Sequence, residues 1–523
     1  MTPEITANQP SEQLNPQPLV RGLTAKVVKG SLWTLAGQIA PLALTLLATP
    51  FTIRLLGAEG YGVLILVGLI PTYANFADFG MGLGSTKYAS EAYSANDSIR
   101  EARIVRTAAL ISFLASFPIG LAMFIFSTPI IRLFNVPDHL VGDGSVALKF
   151  ASITFVVNFL NNIFNTPQLT RLRMDLNTLI SSCFRVVGIV ATPIVVYLGF
   201  GIVGATLVLM VAALATLVGH LAMSHRLLPE LYGLSVDRSI ARPLLRFGGG
   251  LVIGGVAAVL LVNLEKAVLA RATNVETLAY YSVAFNFAMM ATMFSGAMIQ
   301  SLLPAFSQLL IPEKREQLNK LFSRALRINI FGMLPILAFL FVIARPLFTI
   351  WAGPDFGRES TLPFYVILGG LFFNIIAFLP ASLLLAFGRS DLTAKLYWVE
   401  LFPYLGLIAV LTTNLGSIGA ALAWSTRVFV DAIVITYLCR KTVGVSFDLL
   451  NGSLSGPFVA LLILAPPMVI AALTPNFSNW LLLMLAISIC LYTVLAWKKF
   501  LAHDEKLWLR SKFDALFVTR RSN

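Results

Sequence analysis

The chain is poor in charge and poorer still in the residues that build catalytic or metal sites. Only 12% of its 523 residues are Asp, Glu, Lys or Arg, against roughly 25% in an ordinary soluble domain. Cysteine is scarce: Cys183, Cys439 and Cys490 stand far apart within apolar runs, which excludes a disulfide framework and a cysteine metal motif. The four histidines, His139, His220, His225 and His503, lack zinc spacing. No GxSxG or HExxH pattern occurs. GMGLGSTK at residues 80–87 places Ser-Thr before Lys, whereas a phosphate loop needs Lys first. These absences leave no expectation of a cofactor, a metal or covalent catalysis. The longest outer loop, 129–146, offers only Arg132, Asp138, His139 and Asp143, few for a membrane glycan polymerase or ligase.

Apolar sequence is what the chain has in abundance, at 57% of all residues. Fourteen stretches approach the ~20 residues that cross a bilayer as helix: near 31–53, 61–86, 107–128, 147–169, 176–198, 202–224, 247–270, 278–305, 328–345, 361–387, 392–413, 417–438, 455–474 and 479–497. The expected fold class is an all-α polytopic membrane protein. The net charge of +13 would suit nucleic acid, but its distribution points elsewhere. With the N-terminus taken as cytoplasmic, 29 of the 38 basic residues fall in loops and termini of that side. Six (Arg54, Arg132, Lys149, Arg271, Arg345, Arg358) fall opposite, and Arg185, Lys266 and Arg427 lie within spans. The positive-inside rule then places both termini in the cytoplasm, with attraction to anionic membrane lipid as a side effect. The polar start and long first apolar run lead us to expect a retained span rather than a cleaved leader, in an inner (cytoplasmic) membrane.

Weak internal repetition divides the chain. Arg54 and Glu59 correspond to Arg271 and Glu276, Asp175 to Asp391, and Gly201 and Gly204 of GIVGA to Gly416 and Gly419 of GSIGA. The expected units are a cytoplasmic segment 1–30, a six-helix bundle 31–228, a linker 229–246, a second bundle 247–440, an extra hairpin 441–498 and a basic cytoplasmic tail 499–523. Halves of six spans share one orientation and leave a cavity between them, so alternating access can follow from rocking one bundle against the other. Prolines 41, 71, 118, 193, 335 and 403 interrupt spans and can bend them. The glycine run at 248–255 serves close packing or a gating hinge.

A charge at the bilayer centre costs roughly 2.5–3.5 kcal/mol on insertion scales, so intramembrane ionisable residues are the first site candidates. Arg185 has no carboxylate in its own span and points to a cavity or to Glu400 in span 11. Arg427 and Asp431 are four apart, a self-neutralising pair or a ligand site. Glu265 and Lys266 lie toward the outer end of span 7, where snorkelling would suffice. Asp78 suits a proton, a sodium ion or a structural hydrogen bond. Thr154, Asn158, Asn162 and Asn165 share one helical face beside Asn161, a row fit for interhelical bonding or a cavity receiving hydroxyl-rich ligands.

The segments RLLGAEGYGVL (54–64) and FADFGMGLGSTKYASEA (76–92) resemble the opening of the polysaccharide-repeat-unit flippases of the multidrug/oligosaccharidyl-lipid/polysaccharide exporter superfamily. Leu56, Gly57, Glu59, Tyr61, Gly62, Asp78, Phe79, Gly80 and Lys87 carry the resemblance, and NLEKAVLARATNVETLAYYSVA (263–284) is similar to the corresponding passage of the second half. The resemblance covers about residues 25–440. It implies two six-helix bundles in a V around a central cavity with a C-terminal helix pair. The implied substrate is an undecaprenyl-pyrophosphate-linked oligosaccharide, with a coupling ion (H+ or Na+) and polysaccharide polymerase or export machinery as partners. The candidate cavity set read from the residues is Arg185, Arg427, Lys266, Asn158, Asn162 and Asn165; the family's basic cavity residues fit Arg185 and Arg427 by role, with no motif aligning them residue by residue. Charge partners or ion-coupling groups are Asp78, Glu265, Glu400 and Asp431, and Lys87 takes a gating or headgroup role. Alternatives are a cation-coupled multidrug antiporter of the same fold and a membrane glycan polymerase or ligase. The absence of any charged residue from Ser31 to Ile53 counts against the antiporter, whose relatives use an acidic residue in the first span.

The orientation is directly testable. Reporter fusions after Arg21 and after Lys506 should both read cytoplasmic; an external signal at either would overturn every loop assignment.

Overall fold

The computed structural model describes residues 17–233, 237–309, 312–445, 455–474 and 478–500, and among them the chain is helical throughout, without a strand. α1 (Gln17–Thr72) is divided at Gly57, whose φ of 71° no helix allows. α2 (Met81–Ser94) continues its second limb after a break at which Phe79 and Gly80 are both left-handed. Then come α3 (Ser98–Ile125), the short α4 (Ser127–Leu133), α5 (Asp138–Phe164), the short α6 (Thr166–Thr170), α7 (Met174–Val195) and α8 (Gly201–Leu227). The second half holds α9 (Arg238–Ala272), α10 (Val275–Gln308), α11 (Arg315–Ala352), the short α12 (Pro354–Glu359), α13 (Thr361–Ala386) and α14 (Ser390–Val443), which is divided at Gly416. α15 (Ser455–Leu473) and α16 (Asn479–Leu495) follow.

Eight of these runs are long and apolar enough to span a bilayer as they stand, or nine with the bent α9. Three of those runs, at 42, 54 and 54 residues, exceed twice the ~20 residues of a single crossing, and each contains a glycine break where two crossings join. The fourteen apolar stretches lie mostly on helix, the second broken between Thr72 and Met81, and the protein is a multi-pass membrane protein.

Helix starts follow local chemistry. The Asp97 side chain accepts from the Arg100 amide at 2.9 Å to open α3, and Asn274 accepts from the Thr277 amide at 2.8 Å to open α10, each satisfying a donor that the first helical turn leaves free. Asp237 does the same for Ser239 at 2.9 Å, so α9 begins at Arg238, inside the stretch expected as the 229–246 linker. α1 likewise starts at Gln17, within the expected 1–30 segment. The tail beyond residue 500 lies outside the described residues.

In the first half α1 packs on α7, α5 on α8 and α3, and α7 on α8; in the second α13 packs on α14 and α10, α14 on α9, and α11 on α13. α15 and α16 pack on each other and on α11, with Tyr492 donating to the Phe331 carbonyl at 2.6 Å. The architecture is two six-helix bundles with an added helix pair. Their kinship shows in the backbone: Gly201 and Gly416 adopt nearly the same conformation (φ 53°, ψ −145° and φ 56°, ψ −131°). Left-handed Leu172 and Gly388 also correspond, each preceding an Arg-x-Asp hook. Arg173 Nε donates to Asp175 and Arg389 Nε to Asp391, both at 3.0 Å. Each hook sits at the start of its helix.

The halves meet mainly on the face opposite the N-terminal one. There Arg54 donates to the Ile350 carbonyl at 2.9 Å, and Asn135 Nδ2 donates to the carbonyls of Arg271 and Thr273 at 2.9 and 2.8 Å. Deeper in α1, Trp351 Nε1 donates to the Leu46 carbonyl at 2.9 Å. Gly62 lies directly on the Val275 carbonyl, and toward the N-terminal face Gly248 lies on the Phe79 carbonyl. A Cβ at either glycine would collide with backbone. Gly62→Val should therefore destabilise the protein by about 1–3 kcal/mol, the usual cost of overpacking, whereas Gly68→Val, with open space around it, should be close to neutral. Unfolding midpoints in detergent would compare them; equal midpoints would mean that the seam tolerates separation.

Candidate functional site

A buried charged network occupies the second bundle, where α9 and the two limbs of α14 meet. Arg427 Nη1 lies 3.5 Å from Glu400 Oε2, with side-chain exposures of 9% and 7%. The Asp431 carboxyl lies one helical turn beyond Arg427 and neighbours Glu400. The Arg427 guanidinium also stands over the Tyr404 ring, 5.6 Å from its centroid, and Tyr404 donates to Glu265 Oε2 at 3.2 Å. Glu265 is wholly buried. Beside it, Lys266 donates to Asn263 at 3.2 Å and stands 4.3 Å from the Phe285 ring centroid, a favourable cation–π approach. Tyr73 of the first half closes the chain by donating to the Asn263 carbonyl at 2.6 Å. One oxygen each of Glu265, Glu400 and Asp431 is buried without a hydrogen-bond partner among the described residues.

Several sequence expectations change here. Glu400 takes Arg427 as its partner, not Arg185. Arg427 reaches across to the other limb of α14 instead of pairing with Asp431 four residues on, because the turn at Gly416 brings the two limbs together. Glu265 and Lys266 do not snorkel. Lys266 is only 8% exposed, and its ammonium is held by an amide and an aromatic ring. Tyr73, Asn263, Tyr281 and Tyr404 joined this neighbourhood without any local sequence signal, since hydroxyls and amides are common in spans and only the fold aligns them.

The first bundle is different in kind. Thr154, Asn158 and Asn162 line an open cavity of about 310 Å³ together with Asn75, Thr72 and Thr206. Asn165 falls outside that lining, with its carbonyl oxygen buried and unpartnered, while Asn161 is buried and donates to Ala213 at 3.3 Å. Asp78 accepts from the Gly82 amide at 3.3 Å at the start of α2, and its other oxygen has no partner among the described residues. Arg185 is exposed. It shares the α7 face of Thr178 and Ser182, which pack on Gly37 of α1, and lies opposite the exposed apolar residues Leu179, Cys183 and Val187, so it faces the α1 side and not lipid. Lys87 is exposed at the α2 and α9 seam, 4.9 Å from the Phe247 ring centroid.

Paired six-helix bundles, a polar cavity in one and a sealed charge network in the other, define a membrane transport protein. The chain belongs to the family described as polysaccharide biosynthesis protein, which matches it over residues 27–310. It is 24% identical over 425 residues to the protein named "Putative O-antigen transporter" of Shigella flexneri, covering 79% of this chain and 98% of that one. It is 23% identical over 414 residues to "Uncharacterized membrane protein EpsK" of Bacillus subtilis, covering 75% and 79%. Among solved structures, the lipid II flippase MurJ in an inward closed conformation superposes with a TM-score of 0.68 at 15% identity, over 90% of this chain and 98% of that one. An inward-facing multidrug resistance MATE family transporter of the MOP superfamily gives 0.65 at 16%, over 78% and 96%. The resemblance read from residues 54–92 is thus borne out.

Removing one partner of a buried ion pair strands the other at a cost of about 3–5 kcal/mol. Arg427→Met should accordingly lower the amount of folded protein in the membrane, and Glu400→Gln added to it should restore part of the loss. Fluorescence-detected gel filtration of the single and double variants decides; no recovery in the double variant would break the coupling drawn here.

Proposed function

We propose that this protein is a flippase that moves an undecaprenyl-pyrophosphate-linked oligosaccharide repeat unit across the inner membrane, from the cytoplasmic to the outer leaflet, by alternating access. The observation that carries the reading is the division of polar groups between the halves. The first bundle offers an open row of amides and hydroxyls with Arg185 facing the α1 side, and such groups both donate to and accept from sugar hydroxyls. The second bundle keeps its charges sealed from solvent. Family membership and the name of the Shigella flexneri relative support the same substrate class.

Glu400, Asp431 and Arg427 set two carboxyl groups against one guanidinium. A proton or sodium ion arriving at the spare carboxyl removes a buried charge, and such an event favours whichever bundle arrangement seals the network better. Tyr73 links that network to the first bundle through Asn263, so a change in the second half is felt at the break of α2 near Asp78. Product consumption by a polymerase or export assembly on the far side would pull transport in the same direction.

Deletion of the gene should cause lipid-linked glycan to accumulate on the cytoplasmic leaflet, read by mass spectrometry with leaflet-selective labelling. Complementation with Arg185→Ala should reach the normal membrane level yet export roughly ten- to hundred-fold less glycan, the range that losing one charge-assisted hydrogen bond of about 1.5–3 kcal/mol gives. Unchanged lipid-linked pools in the deletion strain would defeat the flippase reading, and normal export by Arg185→Ala would remove that residue from the substrate path.

A further inference from the structure

A second polar concavity lies apart from the amide-lined cavity, on the N-terminal face where α2 of the first half meets the start of α9. It encloses about 1000 Å³ and is lined by Arg238, Arg242, Arg246, Tyr88 and Phe247, among others. The three arginines follow a four-residue spacing, which keeps them on one side of a helix over about 12 Å of rise. All three are exposed. Among the described residues none of them reaches a carboxylate: nearby Asp237 caps α9 and lies 3.7 Å from Arg103 instead. Lys87 adds a fourth cation, standing over the Phe247 ring.

The backbone gives this limb a fixed place. α9 bends by 47° between its segments Arg238–Gly249 and Gly254–Ala272, so the arginine-bearing limb departs from the line of the membrane-spanning one. Leu244 is fully buried in the apolar cluster of α2 and α3, and Gly248 lies on Phe79. With one side of the limb anchored, Arg242 and Arg246 are held on the open side. Three unpaired guanidiniums concentrated in one concavity exceed what a phosphodiester with a single charge requires. They match a group bearing several charges on neighbouring oxygens, and guanidinium pairs with phosphate oxygens in bidentate fashion. The half-buried Tyr88 and Phe247 line the groove and supply an aromatic surface of the kind on which the first sugar ring can rest.

We propose that this groove is an entry site for the diphosphate of a lipid-linked glycan, occupied at the seam before the substrate passes to the amide-lined cavity. The inference rests on the flippase reading for the identity of the lipid. Docking there places the headgroup against both halves at once, on α2 and on the first limb of α9, at the seam between them.

The test uses the full chain in phosphatidylcholine nanodiscs, with undecaprenyl pyrophosphate as the probe and undecaprenol and phosphatidylglycerol as comparators. The wild-type chain should bind the diphosphate at least tenfold more tightly than either comparator. R238Q/R242Q/R246Q should lose tenfold or more, the corresponding triple Lys variant should stay within about threefold, and R226Q/R440Q/K441Q, which removes as much charge elsewhere on the same face, should stay within twofold. Should the triple Gln variant fail to fold, R242Q alone should lose about threefold. Unchanged binding by the Gln variants, an equal loss in the R226Q/R440Q/K441Q control, or equal competition by phosphatidylglycerol would each overturn the site, the last assigning it to ordinary anionic lipid. Binding is read independently of transport, so glycan pools in the deletion strain can refute the flippase reading while leaving this result intact, and the reverse.

Discussion

Two places where backbone meets backbone across the seam, Gly62 on Val275 and Gly248 on Phe79, govern the rest of the molecule. Each lets a helix of one half approach the other more closely than any side chain would permit. The first brings Tyr61, Ile65 and Ile53 into one apolar cluster with α10, α13 and α14. The second seats α9 beside the left-handed break between the limbs of span 2. With these contacts set, Tyr73 is within reach of the Asn263 carbonyl, and the arginine-bearing limb of α9 stands at the mouth of the seam.

Within that frame the two bundles solve the problem of polar groups in lipid differently. The first leaves amides and hydroxyls lining an open cavity, where ligand or water can satisfy them. The second buries its charges and pairs them, since an isolated ion in a low-dielectric interior costs several kcal/mol. The network of Glu265, Lys266, Glu400, Arg427 and Asp431 nevertheless retains unpartnered carboxyl oxygens. A fully satisfied network would rigidify the bundle; the spare carboxyl oxygens here are what the proposed proton or sodium coupling would draw on. The halves share a scaffold, visible in the matching turns at Gly201 and Gly416, while their chemistry differs.

Much of the fold was legible in the sequence because a bilayer demands long apolar runs and punishes exceptions. Run length placed the fourteen stretches on helices, and the sequence correspondences of Gly201 with Gly416 and Asp175 with Asp391 reappear as matching local structure. The diffuse motifs around Leu56, Asp78 and Lys87 were enough to place the family. Helix starts were less legible: Asp237 opens α9 inside the expected linker, because a capping hydrogen bond is a local event that hydropathy does not register.

Partnership was what the sequence could not supply. It picked out Glu265, Lys266, Glu400, Arg427 and Asp431, which break apolar runs, but missed Glu101, buried against Arg171 at 2.6 Å, and the nearest carboxylate along the helix was not the one Arg427 uses. Glu400 lies 27 residues away and is brought to it by the turn at Gly416, while Arg185 is left to face the side of α1. Sequence alone determined the membrane, the number of crossings and which polar residues must be accounted for, because insertion energy is summed residue by residue along each span. Tertiary structure alone decided which of them are sealed, paired or left open, because electrostatic energy depends on distances between helices that no local spacing encodes.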